Sequence, residues 1–238
     1  MRIIKSKTAA DVVEVLAEKI YLLSENYIDD HGSFWLAVSG GSTPKMLFSH
    51  LASKYQKSLQ WKNIHIFWVD ERCVPPGDAE SNFGMTKTSL LDHVDIPGVN
   101  IHRILGENDP VKEAVRYAGE LRQVPVLNAL PRFDLILLGM GSDGHTASIF
   151  PDQMALMTAH QPTAVAIHPQ TCQQRVTLTG PVINNARHVF FLITGTDKAG
   201  VVEDIVHKHS RAANLPASHI KPQGEAEWYL DEEAGRFV

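Results

Sequence analysis

Along residues 8–26 apolar side chains recur as Val12, Leu16, Ile20 and Leu23, with Val13 beside them, and Thr8 with Asp11 supplies a capping pair. That spacing predicts an amphipathic helix with one buried stripe. The next run, FWLAVS at 34–39, is apolar almost throughout, closes on Gly40-Gly41 and is followed by Pro44, a residue suited to a first helical turn. It predicts a strand, a tight turn and a helix to about Leu51. IHIFWVD (64–70), FDLILLG (133–139) and HVFFLITG (188–195) repeat the short apolar run, and helical spacing follows the last from Asp197 to about His207. Residues 163–168 and 175–180 read as shorter strands with a turn between them.

Near-continuous apolar strands separated by helical segments point to a parallel sheet buried on both faces. The expected fold is therefore α/β, a doubly wound, mainly parallel, Rossmann-like sheet with helices on both faces. No linker, charge run, low-complexity tract or internal repeat divides the chain, so residues 1–238 are read as one domain. In such sheets ligands sit at the carboxyl ends of the strands, beside the point where strand order reverses. Four strand ends carry polar, charged or Gly-rich clusters: SGGSTP (39–44), DERCVP (70–75), GMGSDGHT (139–146) and TGTDKAG (194–200).

Charge narrows the partners. With 22 basic against 27 acidic residues the net charge is -5, which gives no field to gather nucleic acid or an anionic membrane. Any anionic ligand must be caught locally. The apolar stretches are too short to span a bilayer and the first residues lack a signal-peptide pattern, so a cytoplasmic protein with no membrane partner is expected. Cys73 and Cys172 form no CxxC unit and are expected as free thiols. The twelve histidines include no HExxH, and His207 and His209 should face different sides of the helix expected there. No metal is expected. Without heptads, the oligomeric state stays open between monomer and homodimer.

The sequence lacks both GxGxxG and GxxxxGK[ST], yet SGGSTP has the makings of an anion cradle. Gly40 and Gly41 let the backbone turn closely, Ser42 or Thr43 can cap, and free N–H groups at the helix start face the site. An ordinary capped turn fits the same residues. Arg72 can grip a phosphate or carboxylate through two parallel hydrogen bonds, or pair with Asp70 or Glu71 at the surface. The stretch after it, PPGDAESNFGM, reads as an ordered loop bordering a pocket.

In GMGSDGHT three glycines allow Asp143 and His145 to be held on a tight turn. A neutral imidazole moves protons near neutral pH, so His145 is a candidate base, with Asp143 fixing its tautomer. A histidine capping a following helix is the alternative. Lys198, in the first turn of its helix where a cation is disfavoured, either completes an anion site or is a solvated surface lysine.

Taken together, SGGSTPK, DER, GMGSDGHTASIFP and RVTLTGPVINNARHVFFLITGTDKAG resemble the 6-phosphogluconolactonase family, within the superfamily that includes glucosamine-6-phosphate deaminase. The resemblance extends from about Val38 to the closing LPASHIKPQGEAEWYLDEEA, and GMGSDGHTASIFP is its most specific block. It implies cofactor-free hydrolysis of a small sugar-phosphate lactone, 6-phospho-D-glucono-1,5-lactone, with His145 drawing a proton from the attacking water and returning one to the ring oxygen. By motif position it places the phosphate on Ser42 and Arg72, with Arg175 and Lys198 as further basic contributors. The backbone of the Gly-rich turns or a basic side chain would face the oxyanion.

The deaminase relatives carry a Glu five positions after the motif histidine, where this chain has Phe150, which disfavours the sister activity. A non-catalytic sugar-phosphate sensor is a further alternative, disfavoured because Asp143 and His145 are both present. A Ser-His-Asp hydrolase lacks its GxSxG elbow, so Ser142 and Ser148 are expected to be turn and helix residues. Cys73 is expected to be structural or incidental.

Overall fold

The computed structural model describes residues 1–238. The chain runs β1 (Arg2–Ser6), α1 (Ala9–His31), β2 (Phe34–Val38), α2 (Ser42–Lys54), β3 (Ile64–Trp68), β4 (Asp70–Arg72), α3 (Asn82–Ser89), β5 (Ile101–His102) and α4 (Pro110–Glu120). It continues through β6 (Val126–Leu127), β7 (Leu130–Pro131), β8 (Leu135–Leu138), β9 (Thr163–Ile167), β10 (Gln174–Leu178), α5 (Gly180–Asn184), β11 (His188–Ile193), α6 (Ala199–Val206) and β12 (Glu225–Asp231). Seven strands form one sheet in the order β1-β12-β11-β8-β2-β3-β5, every neighbouring pair parallel. From β2 the chain moves outward to β3 and β5, and from β8 it moves the other way to β11 and β12. Strand order therefore reverses between β2 and β8, and the crevice at their carboxyl ends is where this topology opens a binding site.

The apolar runs explain the sheet. Leu135, Ile136, Leu137 and Leu138 of β8 are all buried, as are Phe34, Leu36, Ala37 and Val38 of β2 and Ile66, Phe67 and Trp68 of β3. A strand covered on both faces cannot alternate apolar with polar residues. α1 lays Val12, Val13, Leu16, Ile20 and Leu23 into the same core. Thr8 and Asp11 form the expected capping box, Thr8 Oγ1 accepting the Asp11 N–H at 3.2 Å and Asp11 accepting the Thr8 N–H at 2.9 Å. The helix outruns its expected end because Ile28 continues the buried stripe, and it stops at Gly32, whose φ of 83° is left-handed.

Several expectations are corrected. The strand expected over 64–70 divides at Val69, which donates to the Val38 carbonyl at 2.9 Å and accepts from Leu178 N–H at 2.7 Å. Beyond it the chain leaves the parallel sheet and enters a separate antiparallel sheet, β4-β10-β9. The two short strands thus form a hairpin outside the main layer. Part of the loop expected after Arg72 is helical: Ser81 caps α3 by accepting the Gly84 N–H at 3.0 Å. Neither Ser42 nor Thr43 caps α2, since its N-cap is Gly41 with no side-chain bond. Instead the Thr43 hydroxyl lies 2.8 Å from that of Thr194 and ties the start of α2 to the end of β11. His207 and His209 do not diverge, because α6 ends first and their rings stack at 5.9 Å.

At one edge of the sheet His65 stacks on Trp35 at 4.0 Å, and its Nδ1 lies 3.1 Å from His102 Nε2. His102 Nδ1 in turn meets Glu120 at 2.7 Å. Burial, reinforced by His102, lowers the His65 pKa from 6.5 to about 4. The unfolded chain therefore binds this proton first, so acidification from 6.5 towards 4 removes stability, and the loss levels off below the folded value. Thermal melts of a His65→Phe variant should show a flatter dependence on pH across that window than the parent. An unchanged slope would assign the acid sensitivity to other groups.

Candidate active site

GMGSDGHT leaves the buried end of β8 and turns sharply. The Gly141 N–H donates to the His145 carbonyl at 2.9 Å and the Gly144 N–H to the Gly141 carbonyl at 3.0 Å, with Gly144 at a φ of 80°. The imidazole of His145 folds back over Gly141. A Cβ there would sit 2.2 Å from His145 Nδ1 and 2.5 Å from Asp143 Oδ1, so only glycine leaves room for the pair. Asp143 Oδ1 accepts from His145 twice, from the backbone N–H at 3.1 Å and from Nδ1 at 2.6 Å. Burial by itself would raise the Asp143 carboxyl, but the hydrogen bond and charge of His145 outweigh it and hold the carboxyl at about 2. An ionised acceptor on Nδ1 places the proton of the neutral ring there and leaves Nε2 as the basic nitrogen.

His145 opens onto a cleft lined by Ser39, Gly40, Asp70, Arg72, Asn82, Gly139, Ala147 and Arg175 as well. Its walls come from the ends of β2 and β8, from β4 and from β10. Arg72 and Arg175 are direct cross-strand partners in the β4/β10 ladder, so their side chains emerge on the same face. Arg72 donates to the Glu80 carbonyl at 2.5 Å, and Arg175 lies 5.7 Å over the Phe150 ring. Both Nε atoms are buried without a partner. Neither guanidinium pairs with a carboxylate, unlike Arg103 with Glu107 and Arg116 with Glu113. Burial lowers the Arg175 pKa, and the neighbouring Arg72 charge adds to that effect while Asp70 opposes it. Two adjacent guanidiniums without a carboxylate partner, Arg175 buried and Arg72 half-buried, make an arrangement suited to an anion.

The two acids beside Arg72 are occupied otherwise, which removes the surface-pair reading. Glu71 accepts from the N–H groups of Arg72, Asn82 and Phe83 at 2.8, 2.8 and 2.7 Å and from Ser81 Oγ at 3.1 Å, pinning the start of α3. Asp70 accepts from Ser148 Oγ at 2.6 Å, and its backbone carbonyl takes Asn82 Nδ2–H at 2.9 Å. Asn82 packs so tightly on Gly40 that a Cβ there would fall 1.7 Å from Asn82 Oδ1. The N–H groups of Gly40 and Gly41 donate to no group in the protein. Gly40 and the uncapped start of α2 thus keep the donors expected of an anion cradle.

Of the residues the sequence singled out, the cleft gathers Gly40, Arg72, His145 and Arg175, with Asp143 attached behind His145. Gly41, Ser42 and Thr43 stand on the adjoining turn outside its lining. Lys198 also stays outside, its ammonium 2.8 Å from Asp197. Asp70, Asn82 and Glu71 were missed as site builders because their roles depend on contacts between β4 and α3. Ser148 is a buried turn residue bonded to Asp70 rather than a helical one, and exposed Ser142 has no bond to His145, so neither is a nucleophile for this imidazole. No helix follows His145 to be capped by it; the next helical turn starts at Pro151. Both cysteines are free, and burial, with help from Glu71, pushes the Cys73 thiol up to about 11, which keeps it protonated and unreactive. No group of three or more His, Cys, Asp or Glu side chains is arranged to hold a metal ion. No helix is long and apolar enough to cross a membrane. A larger cavity of about 620 Å³, lined among others by Ile205, Lys208, Ala212 and Trp228, takes nothing from the four strand ends.

Comparison with known proteins agrees with this architecture. A 6-phosphogluconolactonase of Haemophilus influenzae is 41% identical over 240 residues, covering 100% of each chain. The crystal structure of a protein described as devB superposes with a TM-score of 0.90 at 43% identity, covering 99% of each chain. A monomeric glucosamine-6-phosphate deaminase superposes with a TM-score of 0.83 over 100% of both chains at 19% identity, so it shares the fold alone. The profile of the glucosamine-6-phosphate isomerase/6-phosphogluconolactonase family matches residues 7–228, and the chain belongs to that family.

Proposed function

We infer that this protein hydrolyses 6-phospho-D-glucono-1,5-lactone to 6-phospho-D-gluconate, the lactonase step of the oxidative pentose phosphate pathway. Full-length similarity to curated 6-phosphogluconolactonases supports the reaction, and the observation that carries the site is the His145–Asp143 pair facing two unpaired arginines across one cleft. Arg72 and Arg175 hold the 6-phosphate, which fixes the distance from the charged end of the substrate to the reacting carbon. His145 Nε2 takes a proton from water as the water oxygen bonds to the lactone carbonyl carbon. The tetrahedral oxyanion finds a preorganised donor in the unused N–H of Gly40. When it collapses, the bond from carbon to ring oxygen breaks and the imidazolium returns its proton to that oxygen. Asp143 stabilises the imidazolium between the two transfers.

Asp143 also yields a graded expectation. Its Oδ1 is held as an acceptor by the His145 backbone N–H as well as by Nδ1, so an amide placed there keeps its oxygen in position. Asp143→Asn should retain the tautomer and lose only the charge, lowering kcat by about tenfold, whereas Asp143→Ala loses orientation too and should fall further. Equal kcat values for the two variants would remove this role.

Phe150 occupies the position where the deaminase pattern carries a carboxylate. It is fully buried, with the His145 ring 4.9 Å from its own, which leaves no acid there to orient a ring-opening histidine. The purified protein, with a chelator present, should accelerate 6-phosphogluconate formation well above the spontaneous rate and release no ammonia from glucosamine 6-phosphate. The reverse pattern would reverse the assignment.

A further inference from the structure

Phe150 carries a third polar neighbour. His168, at the end of β9, meets the Phe150 ring edge-on at 5.2 Å, while the same ring touches His145 at 4.9 Å and lies under Arg175 at 5.7 Å. His168 is therefore one aromatic ring away from both the candidate base and the arginine pair. Its position is well defined. Gln153 clasps the backbone of Ile167 from both sides, Nε2 donating to the carbonyl at 2.6 Å and Oε1 accepting the N–H at 3.0 Å. The turn beyond is closed by His168 N–H to the Gln173 carbonyl and Cys172 N–H to the His168 carbonyl, both 2.9 Å.

The tautomer is fixed as well. His168 Nδ1 lies 3.2 Å from the N–H of Gln170 and 3.2 Å from that of Thr171, so it accepts and cannot carry the proton. In the neutral ring the proton sits on Nε2, which has no partner in the protein. Burial and the charges of Arg175 and His145 lower the His168 pKa, which favours that neutral form when the cleft is empty. Turn closure occupies Nδ1 and leaves Nε2–H free for a further acceptor.

We propose that His168 is a substrate-binding residue, donating from Nε2 to the phosphate held by Arg72 and Arg175. The proposal rests on the lactonase reading for the identity of the substrate, and on the geometry around Phe150 for the site. A neutral third donor at the edge of an arginine pair adds a directional hydrogen bond to an anion without adding a third repelling charge.

Two substitutions separate this role from turn closure. In His168→Asn the amide oxygen replaces Nδ1 as acceptor for Gln170 and Thr171, and the donor is lost. In His168→Gln the amide nitrogen reaches the Nε2 position, and the turn acceptor is lost. The Asn variant should raise KM for 6-phosphogluconolactone, and Kd for inorganic phosphate by calorimetry, about tenfold, with the parent's Tm and kcat. The Gln variant should keep KM and Kd near the parent values at a lower Tm. Unchanged KM and Kd in the Asn variant, or losses that follow Tm in both variants, would overturn the proposal. If the parent protein binds phosphate but does not hydrolyse the lactone, the lactonase reading fails, and the phosphate Kd of the Asn variant still decides the role of His168.

Discussion

Replacing Arg72 and Arg175 together by methionine should raise KM for the lactone by at least about a hundredfold while leaving the melting temperature equal or higher. The size follows from two charge-assisted contacts, each worth about 1.5–3 kcal/mol when made to an ionised partner. The stability expectation comes from what the pair lacks. The guanidiniums are cross-strand neighbours with like charge, no carboxylate pairs with either, and both Nε atoms are buried and unpaired. In the free protein such groups repel and are poorly solvated, so removing them relieves a cost, as at other sites where function opposes stability. A structural arginine network would behave in the opposite way and lose stability on truncation. Thermal melts with inorganic phosphate check the same point: the parent should be stabilised by the anion and the double variant should not. If the variant melts well below the parent, or the parent does not respond to phosphate, the cleft is not an anion site.

The second large effect belongs to His145. Truncation to alanine removes the only group in the cleft with a basic nitrogen aimed into it and an ionised carboxylate fixed behind it. Positioned proton transfer contributes about 10² to 10⁴-fold, so kcat should fall by that factor. Affinity for 6-phosphogluconate should change little, because the arginines proposed to hold the phosphate lie on β4 and β10 rather than on the turn after β8. Loss of rate and affinity together would mean that the turn itself had collapsed. The relation of His145 to Gly141 allows for that check, since the imidazole rests on bare backbone and its removal uncovers no buried polar group other than Asp143, which is already partly exposed.

Much of the architecture was legible because strands covered on both faces leave continuous apolar runs, as in FWLAVS, IHIFWVD and FDLILLG, and because Thr8 and Asp11 mark a helix start locally. β12 was not found. Residues such as Glu225 and Glu227 make EAEWYLD look too polar for an inner strand, and only its parallel pairing with both β1 and β11 places it there. α3 was hidden for a similar reason. Its first N–H groups are satisfied by Glu71 from another strand, a contact with no signature in NFGMTKTS. At the candidate site, the Gly-rich turn named His145 and Asp143 directly, since the turn and its acid are adjacent in sequence. The partnership of Arg72 with Arg175 is a matter of register between β4 and β10, more than a hundred residues apart, and no local pattern carries it. Lys198, singled out by its place at a helix start, lies outside the lining of this cleft with its ammonium on Asp197, a pairing of sequence neighbours that helical position alone does not announce.

Stopped-flow acid release from freshly generated 6-phosphogluconolactone at neutral pH, for the parent and His145→Ala with a chelator present, decides whether His145 is the base. Acceleration far above the spontaneous rate is expected in the parent, with near-complete loss in the variant while 6-phosphogluconate still binds. A fully active His145→Ala protein would contradict this role and move the proton chemistry to another residue.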